Sequence, residues 1–299
     1  MNHNPPIFSR RLLCLLACAL LFALNSPAQT ANPDRPLGPG YAAWLAYLPV
    51  HAAPVFGAVA HVPDTIVVLG HSEVENSAGH ELARGWHGML GRVPRIQMGA
   101  PAAGDAAGKN ASDKIVVLGT QAEVRAWRPA LAAGSALAAD GYRLRHAGNV
   151  LLVEGGDARG ALYGAFALLR EIAQEHSLAT LDIHSQPANA IRWTNEWDNP
   201  NGTIERGYAG PSIFFEDGHV RADLSRAAAY ARLLASIGID DCTINNVNAD
   251  VHLLDADNIA GIARIADLFR PWGVRISLSI DMSSPQKIGG LSTFDPLDP

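Results

Sequence analysis

Short β-branched runs alternate with helical stripes along most of this chain. IVVLG occurs at 66–70 and again at 115–119, each copy closed by glycine, and ENSAGHELARGWHGMLGR between them carries an interrupted helical period. Two strands flanking a helix predict a βαβ unit. GAPAAGDAAGKNASD, rich in Ala and Gly, reads as a surface loop. GYRLRHAG and NVLLVEGG predict a hairpin turning at Ala147-Gly148-Asn149. From Ala158 to Glu175, Leu162, Ala165, Phe166, Leu169 and Ile172 fall on one helical stripe, with Asp157 placed to cap it. These elements predict an amino-terminal α/β domain over 41–186.

From 187 onward the alternation lengthens. A strand over Ala190–Asn195 is followed by an amphipathic helix over Arg221–Gly238, a strand in DDCTINNVNA, a helix broken at Pro271 and a third strand in VRISLSIDMSS. Repeated βα units predict parallel strands with helices outside, as an open sheet or an eightfold barrel. In either architecture the loops leaving the carboxyl ends of the strands build the site. WDNPNGTIERGYAG, NNVNAD and DMSSPQKIGG all fall there.

The amino end is a targeting device. Arg10 and Arg11 precede an apolar run from Leu12 to Leu24, and Ser26-Pro27-Ala28 supplies the small residues a signal peptidase reads, so cleavage is predicted after Ala28. A Pro-rich linker over 29–40 follows. The run is shorter than the roughly 20 residues of a membrane span, so the mature chain is expected without one, in the periplasm or outside the cell. Leu15-Leu16-Ala17-Cys18 has the look of a lipidation box, but most of the apolar run would then lie on the wrong side of the cysteine. Cys14 and Cys18 leave with the signal, which leaves Cys242 and no internal disulfide. The 23 Lys and Arg are scattered and the formal charge is -6, which argues against a nucleic-acid surface. The glycines of GGDARG lack the order and context of a nucleotide loop, and no GK[ST] occurs; packing of hairpin against helix explains them.

The stretch WDNPNGTIERGYAGPSIFF, from Trp197 to Phe215, concentrates aromatic, acidic, amide and turn-forming residues. An indole such as Trp197 suits the apolar face of a pyranose, while Asn side chains reach hydroxyls. Trp197, Asn199, Asn245, Asn246 and Asn248 on adjacent strand ends therefore suit a carbohydrate. Trp193 reads as core. Arg206 has two readings, a pair with Glu205 or Asp198 that pins the loop, or a ligand contact. Asp198, Glu205, Asp281 and Asp295 read as loop braces or caps rather than catalytic acids, because acids near glycine turns usually bond backbone amides.

At these residues the chain resembles the α-glucuronidases of glycoside hydrolase family 67, which release glucuronic or methylglucuronic acid from xylan fragments. The likeness rests on WDN, ERGYAG, INNVNA and SPQKIGGLSTFDPLDP, and extends upstream to GALYGAFALLRE and GYAAWLAYLPV. It implies a small amino-terminal α/β domain followed, over 187–299, by the first βα units of a (β/α)8 TIM barrel that is cut short at its carboxyl end. It also implies an inverting mechanism without metal, nucleotide or other cofactor, a glucuronic-acid-substituted xylo-oligosaccharide as partner, and room for a homo-oligomer of the complete enzyme. By resemblance Trp197 packs on the uronic acid and Val247 lies beside its O4 substituent, where a methyl ether needs an apolar neighbour. Two positions depart from the family pattern, Glu196 and Pro211. A carboxylate facing an anionic substrate would be repelled, so strand alternation is expected to turn Glu196 away from the pocket.

A barrel takes about 250 residues, far more than Ala190–Pro299 supplies. The resemblance places the general acid and the base pair beyond Pro299, so no catalytic residue is expected in this chain and the polypeptide alone is expected to be inactive. A hexosaminidase of similar build would need its own acid pair, and a non-catalytic exported sugar-binding protein would use the same loops without chemistry.

Overall fold

The computed structural model describes residues 41–57, 62–101, 115–131, 134–245, 250–293, 295 and 297 of the chain. The predicted signal segment and linker over 1–40, most of the Ala/Gly-rich loop, and Asn246, Val247 and Asn248 lie outside the described residues.

After a one-turn helix α1 (Ala52–Phe56), strand β1 (Thr65–Val68) leads into helix α2 (Glu73–Leu90). Ser72 and Glu75 form a reciprocal capping box at its start: the Glu75 amide donates to Ser72 Oγ at 3.2 Å and the Ser72 amide to Glu75 Oε2 at 3.2 Å. The helical period that the sequence shows as interrupted is one unbroken helix. Its glycines stand where neighbours press in. A Cβ on Gly79 would lie 2.5 Å from Val68 Cγ2, and one on Gly85 would lie 2.4 Å from Leu169 Cδ2.

Strand β2 (Arg95–Met98), exposed and too polar for the pattern to reveal, pairs in parallel with β1 at the sheet edge. On its other side β1 pairs in parallel with β3 (Ile115–Thr120), so the two IVVLG runs are neighbours, Ile66 beside Val116. Helix α3 (Gln121–Trp127) follows, then the predicted hairpin of β4 (Tyr142–Ala147) and β5 (Val150–Gly155). Helix α4 (Ala158–Ala173) starts at Asp157, whose Oδ1 accepts the Gly160 amide at 2.8 Å. The five stripe residues of α4 are all buried. The glycines before it serve close packing, since a Cβ on Gly160 would lie 2.2 Å from the Gly141 carbonyl oxygen. A further strand, β6 (Asp182–Ser185), pairs with β4 and completes a six-stranded sheet of order β2-β1-β3-β5-β4-β6. Both faces of its centre are covered. Ile66, Val68, Val116 and Leu118 pack with α2 and α4, whereas Val67, Leu69, Val117 and Leu152 pack with Val124 of α3. This explains why the runs are continuously apolar rather than alternating.

The second sheet contains β7 (Trp193–Glu196), β10 (Asp241–Asn245) and β11 (Arg275–Ser279), parallel and in the order β11-β10-β7. Between the first two strands lie a small hairpin of β8 (Phe215–Glu216) and β9 (His219–Val220), then helix α5 (Ser225–Ser236). The hairpin, absent from the strand pattern of the sequence, turns at Asp217-Gly218, where both residues take positive φ. It also delays α5, because the Arg221 amide bonds back to the Phe214 carbonyl at 2.9 Å. Helix α6 (Ala256–Phe269) gives way at Pro271 to a tight turn over Arg270–Trp272. Together these form a mixed α/β fold in which the six-stranded sheet is part parallel and part antiparallel and the three-stranded sheet is parallel. Among the described residues no helix is long and apolar enough to cross a membrane.

One apolar core runs from the first sheet to the second, joining Phe166, Leu168 and Leu169 with Leu234, Cys242, Ile244, Ile265 and Phe269. Two buried ionic clusters cross the same junction. Glu81 of α2 accepts Arg232 of α5 at 2.6 Å and Tyr47 Oη at 2.5 Å, with Arg84 at 3.1 Å. Asp140 accepts Arg159 at 2.7 Å and Arg192 at 2.8 Å, while Asp240 lies 3.4 Å from Arg192. Arg192 belongs to the strand predicted over Ala190–Asn195, but its Nε donates to the Gly238 carbonyl at 2.6 Å and its main-chain amide to Asp240 Oδ1 at 3.3 Å. The ladder therefore starts at Trp193, three residues after the predicted start at Ala190.

Replacing Arg232 by Met removes the closest charge partner of Glu81, whose side chain has no solvent exposure, and leaves it Tyr47 and the largely exposed Arg84. The expected loss is about 3–5 kcal/mol, the usual cost of breaking a buried pair, read as a lowered urea midpoint with the m-value unchanged.

Candidate functional site

Because β7, β10 and β11 are parallel and in register, their carboxyl ends share one edge. Glu196 is paired with Ile244, and Asn245 with Ser279. Trp197 and Asn245 thus leave the sheet side by side, and the segment from Ile280 to Lys287 leaves next to them. The sequence placed its richest loops on this edge, and the strand register brings the three exits together.

Alternation along β7 sorts its side chains. Thr194 and Glu196 turn toward α5, where Glu196 accepts the Tyr230 hydroxyl. The expectation that Glu196 faces away is met, and burial together with this carboxylate raises the Tyr230 hydroxyl pKa above its ordinary value. Trp193 and Asn195 turn to the opposite face. Trp193 was read as core; it is half-exposed instead, with the Arg275 guanidinium 5.9 Å from its ring. The correction follows from the two-residue period of a strand: the helix side of the sheet is filled by Thr194, Cys242 and Ile244, so Trp193 takes the side without helices. That side is polar. Asp241 is buried there and accepts Ser277 Oγ at 3.1 Å, with Arg275 at 3.3 Å. Burial raises the Asp241 carboxyl, with Ser277 and Arg275 opposing. On the helix side, burial pushes the thiol of Cys242, the one free cysteine among the described residues, up to about 12 and leaves it inert.

The loop from Trp197 to Phe215 proves to be a self-braced unit. Asn199 is buried, and its Nδ2 donates to the Glu205 carbonyl at 2.7 Å, to Thr203 Oγ1 at 3.1 Å and to the Thr203 carbonyl at 3.3 Å. The Glu205 amide returns to the Trp197 carbonyl at 2.7 Å, and isolated bridges join Asp198 to Ile204 and Thr203 to Pro211. Asn199, read as a substrate contact, thus has its amide directed into the loop. Asp198 is buried and accepts the Ser212 hydroxyl. Trp197 stays 42% exposed beside it. Arg206 is exposed, and its guanidinium lies 4.0 Å from Glu205.

The remaining acids are local braces, as their sequence context suggested. Asp281 accepts Ser283 Oγ at 2.6 Å and Lys287 of the short helix α7 (Ser284–Lys287) at 2.8 Å. Lys287 first, then Ser283, hold its carboxyl below the usual range. Asp295 accepts the Leu297 amide at 2.9 Å. Asn246, Val247 and Asn248 lie outside the described residues, as does the side chain of Asn245. No group of three or more His, Cys, Asp and Glu among the described residues could hold a metal.

Residues 43–168 match the glycosyl hydrolase family 67 N-terminus and residues 171–299 the glycosyl hydrolase family 67 middle domain. The chain belongs to glycosyl hydrolase family 67. It is 43% identical over 268 residues to an alpha-glucuronidase of Hypocrea jecorina, covering 87% of this chain and 31% of that relative. It is 40% identical over 262 residues to a probable alpha-glucuronidase A of Aspergillus oryzae, covering 87% of this chain and 30% of the relative. The chain thus spans under a third of the length of these family members. Among solved structures it shares its fold, at a TM-score of 0.50 and 14% identity, with a family GH115 4-O-methyl-alpha-glucuronidase, covering 79% of this chain and 32% of that one.

The bracing by Asn199 generates a test. In Asn199→Asp the amide donors become a carboxylate facing three oxygens. Trypsin cleavage after Arg206 in the native protein is expected to rise at least about fivefold, the equivalent of the roughly 1–3 kcal/mol lost when buried bonding goes unsatisfied. An unchanged rate by timed electrophoresis would count against the brace.

Proposed function

We propose that this chain supplies the sugar-facing rim of an inverting α-glucuronidase, one that removes α-1,2-linked glucuronic acid or its 4-O-methyl ether from xylan-derived oligosaccharides. What supports the reading is the likeness along most of the chain to proteins named alpha-glucuronidase, joined to the convergence of three strand exits beside the exposed face of Trp197. In this reading residues 41–186 form the amino-terminal domain. The sheet of β7, β10 and β11, within 187–299, is the opening of a (β/α)8 barrel whose carboxyl rim takes the substrate. The segment ending at Ala28 directs export.

Each group then has a stated task. The Trp197 indole offers a flat apolar surface to the C–H face of the uronic acid ring. Asn246 and Asn248, at the exit of the neighbouring strand, supply hydrogen-bond donors and acceptors for hydroxyls. Val247 gives an O4 methyl group an apolar neighbour. Turning Glu196 toward Tyr230 keeps a negative charge away from an anionic ligand, which would otherwise be repelled. Inverting hydrolysis needs two carboxyl groups about 6.5–9.5 Å apart, one to protonate the leaving oxygen and one to activate water. Asp198, Glu205, Asp281 and Asp295 engage in local loop contacts, and the acid and base are assigned to none of them.

Isothermal titration of the 299-residue protein with a 4-O-methylglucuronic-acid-substituted xylo-oligosaccharide tests the reading. Binding should exceed that of the unsubstituted oligosaccharide, and Trp197→Ala should weaken it several- to about tenfold, the worth of about 0.5–1.5 kcal/mol of ring packing. Equal binding of both oligosaccharides would reject it.

A further inference from the structure

The neck of the Trp197 loop holds a carboxyl group with an unusual set of neighbours. Asp198 is 3% exposed, and its Oδ1 accepts the hydroxyl of Ser212. Ser212 Oγ in turn accepts the backbone amides of Phe214 and Phe215, each at 3.0 Å. A hydroxyl has one proton and two lone pairs, so two incoming amides commit its proton to Asp198. The rings of Phe214 and Phe215 are buried. The loop leaves the sheet at Trp197 and re-enters the core at Phe214, so the Asp198–Ser212 contact closes it at both ends.

The charges around this contact come from few places. Glu196 on β7 repels an ionised Asp198 and is itself bonded to Tyr230 of α5. The buried Cys242 thiol of β10 also senses Asp198. Within the loop, Arg206 turns outward to Glu205, and Tyr208 is drawn to Glu205 as well. On β8, Glu216 is paired with Arg221 at 3.0 Å. Among the described residues no cation pairs with Asp198. An ionised Asp198 therefore has a negative neighbour and one neutral hydroxyl for support, whereas the neutral acid keeps the Ser212 bond through its carbonyl oxygen and escapes the repulsion.

The geometry points to Asp198 as the positioning residue for Trp197, its carboxyl working as a proton-operated latch that holds the loop neck closed when neutral and loosens it when ionised. The latch acts on the platform assigned to Trp197 above and rests on that reading for its functional meaning. Burial, reinforced by Glu196 and opposed by Ser212, pushes the Asp198 carboxyl up to about 6 from its ordinary 3.8. The sign follows. The folded state favours the neutral acid, so the contribution is complete below about pH 3.8 and is lost as pH rises through about 6. Uronic acid ligands are ionised throughout that window, so any change in the presentation of Trp197 would come from the protein.

Trp197 fluorescence, isolated as the difference between the parent protein and Trp197→Phe, is measured by acrylamide quenching from about pH 4.5 to 8, the range bracketing the latch. The quenching constant should about double, the ratio of full exposure to the 42% seen with the loop closed, with a midpoint near pH 6. Asp198→Asn, a neutral isostere, should hold the low value at every pH. Ser212→Ala should give the high value throughout, and Glu196→Gln should shift the midpoint downward without abolishing the transition. A midpoint that persists in Asp198→Asn, or that stays put in Glu196→Gln, overturns the latch; should Asp198→Asn fail to fold by circular dichroism, Glu196→Gln and Ser212→Ala decide. Calorimetric binding of the substituted oligosaccharide is read separately. Absent binding with the quenching profile intact rejects the platform and keeps the latch, whereas intact binding with a flat profile in the parent rejects the latch.

Discussion

Two arginines and two aspartates fasten the starts of β7 and β10 to the six-stranded layer, and the placement of every later loop follows from that fastening. Arg192 lies 2.8 Å from Asp140 and 3.4 Å from Asp240, and Arg159 lies 2.7 Å from Asp140. The Asp240 amide also donates to the Arg192 carbonyl at 3.1 Å, and the Arg275 amide to the Asp240 carbonyl at 3.1 Å, so the three strands begin in step. Strands that begin in step and run parallel also finish together. The shared edge on which Trp197, Asn245 and Ser279 emerge is thus set at the opposite end of the strands. Buried charges of this kind are costly to desolvate and contribute little net stability, but with one partner missing they are severely unfavourable.

The same economy appears in the Trp197 loop. Most of its polar groups serve the loop itself. Asn199, Ser212 and Asp198 are buried and bonded to backbone or to one another, so the segment keeps its shape without helix or strand. An irregular loop that must present one aromatic face needs internal hydrogen bonds to replace a ladder. The density of Asn, Asp, Ser and Thr in this stretch is the consequence, and Trp197 is the part left facing outward. This division separates residues that build a site from residues that touch what binds there.

Much of the architecture was legible in order of residues. The β-branched runs closed by glycine announced strands, the Asp157 cap and the stripe of α4 marked a helix, and the βα alternation after residue 187 indicated parallel strands. Elements that escaped notice were short, edge-placed or polar, such as β2 and β6, where exposure removes the hydrophobic signal. The hairpin of β8 and β9 carries an Asp-Gly turn signal, but its two-residue strands are too short to show a period. The break in the period of α2 was misleading because a helix against a crowded neighbour replaces bulk with glycine, as Gly85 does for Leu169.

The order of residues by itself determined the chain's family, its mixed α/β character and the loop that concentrates its chemistry, because those depend on local pattern and motif. It could not determine which polar residues of that loop look inward. Trp193 and Trp197 are close in sequence and alike in kind, yet one lies against Arg275 on the open sheet face and the other stands at the strand exit. Asn199 reads as a ligand contact and Asp198 as a loop brace, and the sequence alone does not show that both are buried. Only the tertiary structure decided these, since whether a polar side chain serves the fold or a ligand depends on which donors and acceptors distant segments bring within about 3 Å of it.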